Sequence, residues 1–389
     1  MLIGIIGPPN VGKSTLFSAA TSAHAEIANY PFTTINPNQG VAFVSAPCPH
    51  VELGVQCAPR NSRCENGTRK VPVNVIDVAG LVPGAHEGKG KGNQFLNDLA
   101  AADALICVVD ASGGTDEEGN PVEQGTKDPS SQIAFLENEL DHWLAQVIQR
   151  NAQKAKGKKF PEFAQLLSGL GVKEDDLREC MRKAGALEED SWKWTPEQLM
   201  TVAKAVRAKT KPMLIAANKA DSKFAEGNVK KLKEKFPNYL VVPVAADAEL
   251  ALKKATEKGL LAYDGKKITL LKNDLPPQLV AAIKQIEAII GKWGGTGVQT
   301  VLDEAVFKLL GAIVAYPVED EKHYSNHFGH VLPDAILLPR GATALDLAAK
   351  IHTDLAKGFL YAMDARTKMR VGKEHALKAC DVIKIVSTR

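Results

Sequence analysis

Long apolar runs are what this sequence lacks first. No stretch approaches the ~18 consecutive apolar residues of a membrane span, so no membrane association is expected. The opening Met1-Leu2-Ile3-Gly4-Ile5-Ile6 is apolar, but it has no basic flank and runs straight into a glycine motif, which argues against a secretory signal. Cysteine is scarce as well. Six thiols in 389 residues argue against a disulfide-built scaffold, and in the cytoplasmic setting expected here they read as free thiols or metal ligands. Nor is there a surplus of either charge. A net +3 neither requires nor excludes nucleic acid, for which only a local patch would argue.

What remains is the composition of an ordinary globular protein, 45% hydrophobic and 24% charged. At 389 residues the chain is too long for one core, so two or three domains are expected. Buried-strand candidates at 2–6, 41–45, 73–77, 105–110, 212–217 and 240–244 alternate with helical segments, the pattern of a mostly parallel α/β sheet. Residues 113–131, rich in Gly, Asp, Glu, Pro and Ser, read as a long loop. From 132 to 207 the strand signal vanishes, while Ile133, Leu136, Leu140, Trp143, Leu144 and Val147 recur at helical spacing. Helical segments again follow the strand at 240–244 as far as 311. Beyond 311 a strand at 335–338, a turn, an amphipathic helix at 344–356 and a strand at 382–386 suggest a small α+β module. The expected division is an α/β domain at 1–131 and 208–311, a helical insertion at 132–207, and a C-terminal module at 312–389.

Three motifs carry chemistry. Gly7-Pro8-Pro9-Asn10-Val11-Gly12-Lys13-Ser14 fits G-x-x-x-x-G-K-[ST] between a buried strand and a helix, the context this phosphate loop needs. Backbone N–H groups and the helix N-terminus would cradle phosphate oxygens, Lys13 would reach the β- and γ-phosphates, and the Ser14 hydroxyl would ligate Mg²⁺. Asp77-Val78-Ala79-Gly80 ends another apolar run. There Asp77 is the Mg²⁺-side carboxylate and Gly80 the γ-phosphate contact, but Leu81 stands where many such hydrolases carry a water-orienting glutamine. Asn218-Lys219-Ala220-Asp221 closes the 212–217 strand as a guanine signature. Asp221 can accept from both N1–H and the 2-amino group of guanine, donors that adenine lacks. The Lys219 stem covers the base, Asn218 ties this loop to the phosphate loop, and Ala245-Ala246 offer backbone contact to the base edge.

Cys48, His50, Cys57 and Cys64 fall within one short loop-like stretch, spaced C-x-H-x₆-C-x₆-C. Soft ligands of this kind suit a structural Zn²⁺ site, although the pairing is not C-x₂-C. Free thiols or a redox-sensitive pair are the alternatives. Cys107, Cys180 and Cys380 read as packing residues. Arg150, Lys154, Lys156, Lys158 and Lys159 make a basic stretch in the insertion, either a solvated loop or a contact to RNA backbone.

Taken together, G-P-P-N-V-G-K-S-T at 7–15 (ending in Thr15), N-Y-P-F-T-T-I-N-P-N at 29–38, D-V-A-G-L-V-P-G-A at 77–85 and N-K-A-D at 218–221 resemble the translation-factor-class GTPases. Most specifically the chain is similar to the Obg-like superfamily, in its YchF/OLA1-related branch as found in archaea, and its C-terminal segment to a TGS domain, a ubiquitin-like β-grasp module. The resemblance implies an α/β P-loop NTPase G domain with a helical insertion and a TGS domain, binding GTP and GDP with Mg²⁺. It makes Thr34 the first-switch threonine that ligates Mg²⁺ and senses the γ-phosphate. Lys13, Thr34, Gly80 and Asn10 are then the catalytic candidates. In similar GTPases an asparagine at the place of Asn10 holds K⁺, which would stand in for the missing glutamine; His86 is the alternative, and a plain loop-stabilising role the third. Relatives that accept ATP replace the Lys and Asp of the base motif, whereas this chain keeps both, so GTP is expected over ATP. A ribosome or RNA is the implied partner, reached through the insertion and the TGS module by a monomer. An ATP-hydrolysing member of the family, or a GTP-gated scaffold with negligible turnover, are the other readings.

Overall fold

The computed structural model describes residues 1–21, 38–78, 80, 98–186, 191–272 and 274–388. They fall into two compact units, one within 2–22 and 75–301, the other formed by residue 1 and stretches within 23–74 and 302–389. Strands among the described residues are β1 (Leu2–Ile6), β2 (Gln39–Pro47), β3 (Arg63–Glu65), β4 (Thr68–Asp77), β5 (Ala104–Asp110), β6 (Met213–Asn218), β7 (Val241–Pro243), β8 (Leu261–Tyr263), β9 (Ile268–Leu270), β10 (Ile313–Val318), β11 (Ile336–Leu338), β12 (Phe359–Asp364), β13 (Arg370–Val371) and β14 (Val382–Ser387).

In the first unit the sheet runs β4-β1-β5-β6-β7, β4 entering it by its last residues. Pairing from β1 to β5, β5 to β6 and β6 to β7 is parallel. Every residue of β5 and of β6 is buried, which is why both read as unbroken apolar runs rather than as an alternation. The helices Ser130–Lys154, Phe160–Leu166, Glu174–Lys183 and Pro196–Thr210 fill the expected helical stretch. They share one apolar core with the sheet, where Ile133, Leu136, Leu144, Leu177 and Val206 pack with Cys107 and Val109. Arg207 cross-links two of them, its guanidinium 2.6 Å from Asp141 and 3.0 Å from Glu137. The consequence for function lies at the carboxyl edge of the sheet. Parallel strands deliver the residues that follow β1, β5, β6 and β7 to the same side, where open α/β sheets bind their ligands.

In the second unit the C-terminal strands form a mixed sheet, β11-β10-β14-β12-β13, with β10 and β14 parallel. The helix Ala344–Ile351 lays Leu347 into a core of Leu338, Ala362, Leu377 and Ile383, the sheet-around-a-helix arrangement of a β-grasp module. β2 and β3 both pair with β4. Three differences from the sequence reading stand out. The helix expected at 344–356 is two helices, Ala344–Ile351 and Thr353–Lys357, because His352 is extended (φ −160°, ψ 139°). β10, β12 and β13 were not foreseen, nor was the β8–β9 hairpin, which sits where only helices were expected.

Candidate functional site

The chain leaves β1 through the glycine motif and enters the helix Lys13–Thr21. Asn10 sits in the left-handed region (φ 62°), and its side-chain amide donates to the Gly119 carbonyl at 2.8 Å. That bond stabilises the loop and leaves the Asn10 Oδ1 as its remaining acceptor. Gly12 must be glycine, since at φ +95° a Cβ would stand 2.2 Å from the Asn218 amide nitrogen. Lys13 is buried, and its ammonium donates to the Pro8 carbonyl at 2.6 Å. Burial lowers its pKa to about 8, against the opposing pull of Asp77. Gly80 lies beside it, because a Cβ there would come 3.2 Å from the Lys13 ammonium.

Ser14 and Asp77 meet as well, the hydroxyl donating to Asp77 Oδ2 at 2.7 Å. The other oxygen, Oδ1, is buried and finds no partner among the described residues. An orphaned carboxylate oxygen next to a serine hydroxyl is a hard-oxygen donor set, and it fits Mg²⁺. Thr15, half-buried, follows on the same helix.

At the other end, β6 delivers the base motif. The Asn218 amide donates to the Val11 carbonyl at 2.9 Å and its oxygen accepts from the Ala246 N–H at 3.2 Å, so one side chain joins three loops. Lys219, left-handed at φ 61°, extends its ammonium to Asp110 at 2.8 Å. Asp221 is exposed and makes no hydrogen bond or ion pair among the described residues. The Ala245 N–H is already given to the Thr296 carbonyl at 2.8 Å, so the backbone donors expected at Ala245 and Ala246 are both engaged.

Asp110 is the residue that sequence reasoning missed. It is fully buried at the end of β5 and accepts from Lys219, Ser112 and Thr115. Burial opposes its ionisation, but those hydrogen bonds and the Lys219 charge outweigh it and hold the carboxyl below its ordinary range. An acid closing an otherwise apolar strand was the available signal.

Residues 2–145 match the family described as a 50S ribosome-binding GTPase, and residues 216–320 the Obg-like GTPase YGR210-like, G4 motif-containing domain. Residues 328–387 match a TGS domain. An uncharacterized GTP-binding protein of Methanocaldococcus jannaschii is 50% identical over 393 residues, covering 99% of each chain. The chain belongs to the Obg-like GTPases. A crystal structure of a GTP-binding protein from Pyrococcus horikoshii matches with a TM-score of 0.78 at 40% identity, over 100% of both chains. Human Obg-like ATPase 1 is more distant, 26% identical over 404 residues, covering 97% of this chain and 86% of that one.

For this Obg-like GTPase, Thr34, Leu81 and His86 lie outside the described residues. Arg150, Lys154, Lys156, Lys158 and Lys159 are all exposed, around the turn between the helices Ser130–Lys154 and Phe160–Leu166. In the second unit Cys48, His50, Cys57 and Cys64 come together, with one potential ligand atom from each all within 4.8 Å of one another. Cys107 and Cys180 are buried, as packing residues should be, while Cys380 is half-buried in the left-handed region at φ 67°.

Proposed function

We propose that the chain is a Mg²⁺-dependent GTPase that converts GTP to GDP and phosphate and acts on a ribosome or another RNA, as a cytoplasmic monomer. The observation that carries this reading is Asp221, an exposed carboxylate without a partner among the described residues, next to a lysine already anchored by Asp110. Guanine offers that carboxylate two N–H donors; adenine offers none. In this reading 1–131 and 208–311 form the GTPase domain, 132–207 the insertion and 312–389 the TGS module.

Lys13 would exchange the Pro8 carbonyl for the β- and γ-phosphate oxygens. Ser14 and Asp77 would hold Mg²⁺, joined by Thr34, and the ion supplies neutralisation of phosphate charge. Water attacks the γ-phosphorus, the bond to the β–γ bridging oxygen breaks, and that oxygen leaves on GDP. Lys13 and the Gly80 N–H meet the charge that grows there. Leu81 has no amide to orient the water, which leaves Asn10 Oδ1 with K⁺, or His86, to assist. The exposed basic turn in the insertion supports contact with RNA phosphates.

Phosphate release from GTP tests the reading, measured with and without Mg²⁺, with K⁺ or Na⁺, and with ribosomes. Turnover that requires Mg²⁺ and rises with ribosomes supports it. Indifference to K⁺ removes the role given to Asn10. Release at buffer background throughout favours the GTP-gated scaffold, and faster release from ATP favours the ATPase reading that the name of the human relative suggests.

A further inference from the structure

Cys48, His50, Cys57 and Cys64 take no part in the nucleotide chemistry. Local turns bring them together. Asn66 and Gly67, both left-handed at φ 48° and 82°, close the β3–β4 hairpin as a type I′ turn requires. The Cys48 N–H donates to the Gly67 carbonyl at 2.9 Å, which pins the end of β2 against that hairpin. Gly54, at φ 65°, ends the short helix His50–Leu53 and turns the chain toward Cys57.

Three of the six separations between the ligand atoms are close to those of a coordination polyhedron. Zinc bonded to sulfur at ~2.3 Å and to nitrogen at ~2.0–2.1 Å in a tetrahedron sets sulfur–sulfur edges of about 3.8 Å and sulfur–nitrogen edges of about 3.5 Å. Here His50 Nδ1 lies 3.5 Å from both Cys57 Sγ and Cys64 Sγ, and Cys48 Sγ lies 4.0 Å from Cys57 Sγ. One imidazole nitrogen therefore faces two sulfurs at once, a geometry that a single hydrogen bond does not require.

Arg69 supplies an independent observation. It is fully buried, and its guanidinium donates to the Cys48 sulfur at 3.4 Å, the Ser62 hydroxyl at 3.0 Å and the Leu332 carbonyl at 2.9 Å, with the Tyr316 ring 5.4 Å away. No carboxylate among the described residues reaches ion-pair distance; Asp334 feels it only as a more distant charge. A buried cation without a counter-charge is costly. Three thiolates around a divalent ion leave one net negative charge, which is the missing partner.

We propose that Cys48, His50 through Nδ1, Cys57 and Cys64 bind one Zn²⁺ as a structural site, with Arg69 balancing its charge. Four protein ligands leave no open position for catalysis. Binding sends the three thiol protons to solvent as the thiolate–metal bonds form. The loop so fixed also bonds the C-terminal module: the Ala58 N–H donates to Val331, the Arg60 N–H to Pro333, and Asn61 pairs with both polar groups of the Ala335 backbone. The metal would thus hold the stretch on which residues 331–335 rest.

Full-length protein purified with reductant and without chelator should carry one zinc per chain, released as a mercurial reagent titrates the thiols. Cobalt in its place should give the intense visible bands of a tetrahedral thiolate site. Cys57→Ser and Cys64→Ser should lose the metal and keep GTP affinity, while Cys380→Ser keeps both. Arg69→Gln should weaken zinc binding about 10- to 100-fold, as loss of a group supporting a ligand does. If the cysteine variants do not fold, cobalt uptake by stripped wild-type protein decides. Metal-free protein that yields no tetrahedral cobalt spectrum overturns the proposal, as does a disulfide or thiols that react without releasing metal.

Discussion

Asp221 and Lys13 hold their charges in opposite ways. Asp221 stands in water with no partner among the described residues, so waiting for a base costs little, and two charge-assisted bonds to guanine are gained on binding. Replacing it with asparagine should weaken GTP binding about 10- to 100-fold and leave ATP binding unchanged, since the phosphate-binding groups are untouched. Competition of both nucleotides against a fluorescent GTP analogue reads this. Equal weakening for GTP and ATP would contradict the base assignment. Lys13 is instead buried, which lowers its pKa to about 8. Phosphate oxygens raise it, so above that pH binding takes up a proton. Below pH 8 the ammonium is charged in both states and this group adds no pH dependence; above it, apparent affinity falls with pH until the bound form also titrates. Calorimetry in buffers of different ionisation enthalpy should show proton uptake at pH 9 and none from this group at pH 7.

At the scale of elements, the junction of the phosphate loop with β6 is the most constrained part of the site. A methyl at Gly12 would collide with the amide that ties Asn218 to Val11. Gly12→Ala should cost about 1–3 kcal/mol of stability from the strained backbone alone, and should abolish measurable GTP binding. Urea unfolding together with the same competition assay tests both halves; a variant that binds GTP normally would refute this picture of the junction. The elements differ in how legible they were. β1, β5 and β6 were readable because burial on both faces forces continuous apolar runs. β8, β9 and β13 are two or three residues long and carry no period. The split at His352 follows backbone geometry that an amphipathic pattern does not encode. Within the site, contiguous motifs such as Gly7 to Thr15 announced themselves. Asp110 did not, because the residue it anchors, Lys219, lies 109 positions away in sequence. The engaged N–H groups of Ala245 and Ala246 also depend on distant partners, Thr296 and Asn218, and so were invisible.

For the whole molecule, a net charge of +3 is too small to drive binding to RNA without a concentrated patch, and the exposed turn with Lys154, Lys156, Lys158 and Lys159 is one. Changing these four lysines to glutamine should weaken co-sedimentation with ribosomes in a GTP analogue. It should also flatten the dependence on log salt by ~0.7–0.9 for each phosphate that is no longer neutralised, while GTP affinity stays as it was. Unchanged ribosome binding would reduce the patch to a solvated loop. The claim on which the rest depends is that this member of an Obg-like family uses guanine nucleotide. Titration calorimetry of the full chain with GTP and with ATP, each in Mg²⁺, tests it most directly. GTP should bind at least ~10-fold tighter, the worth of the Asp221 pair, and ATP binding as tight or tighter would contradict the claim.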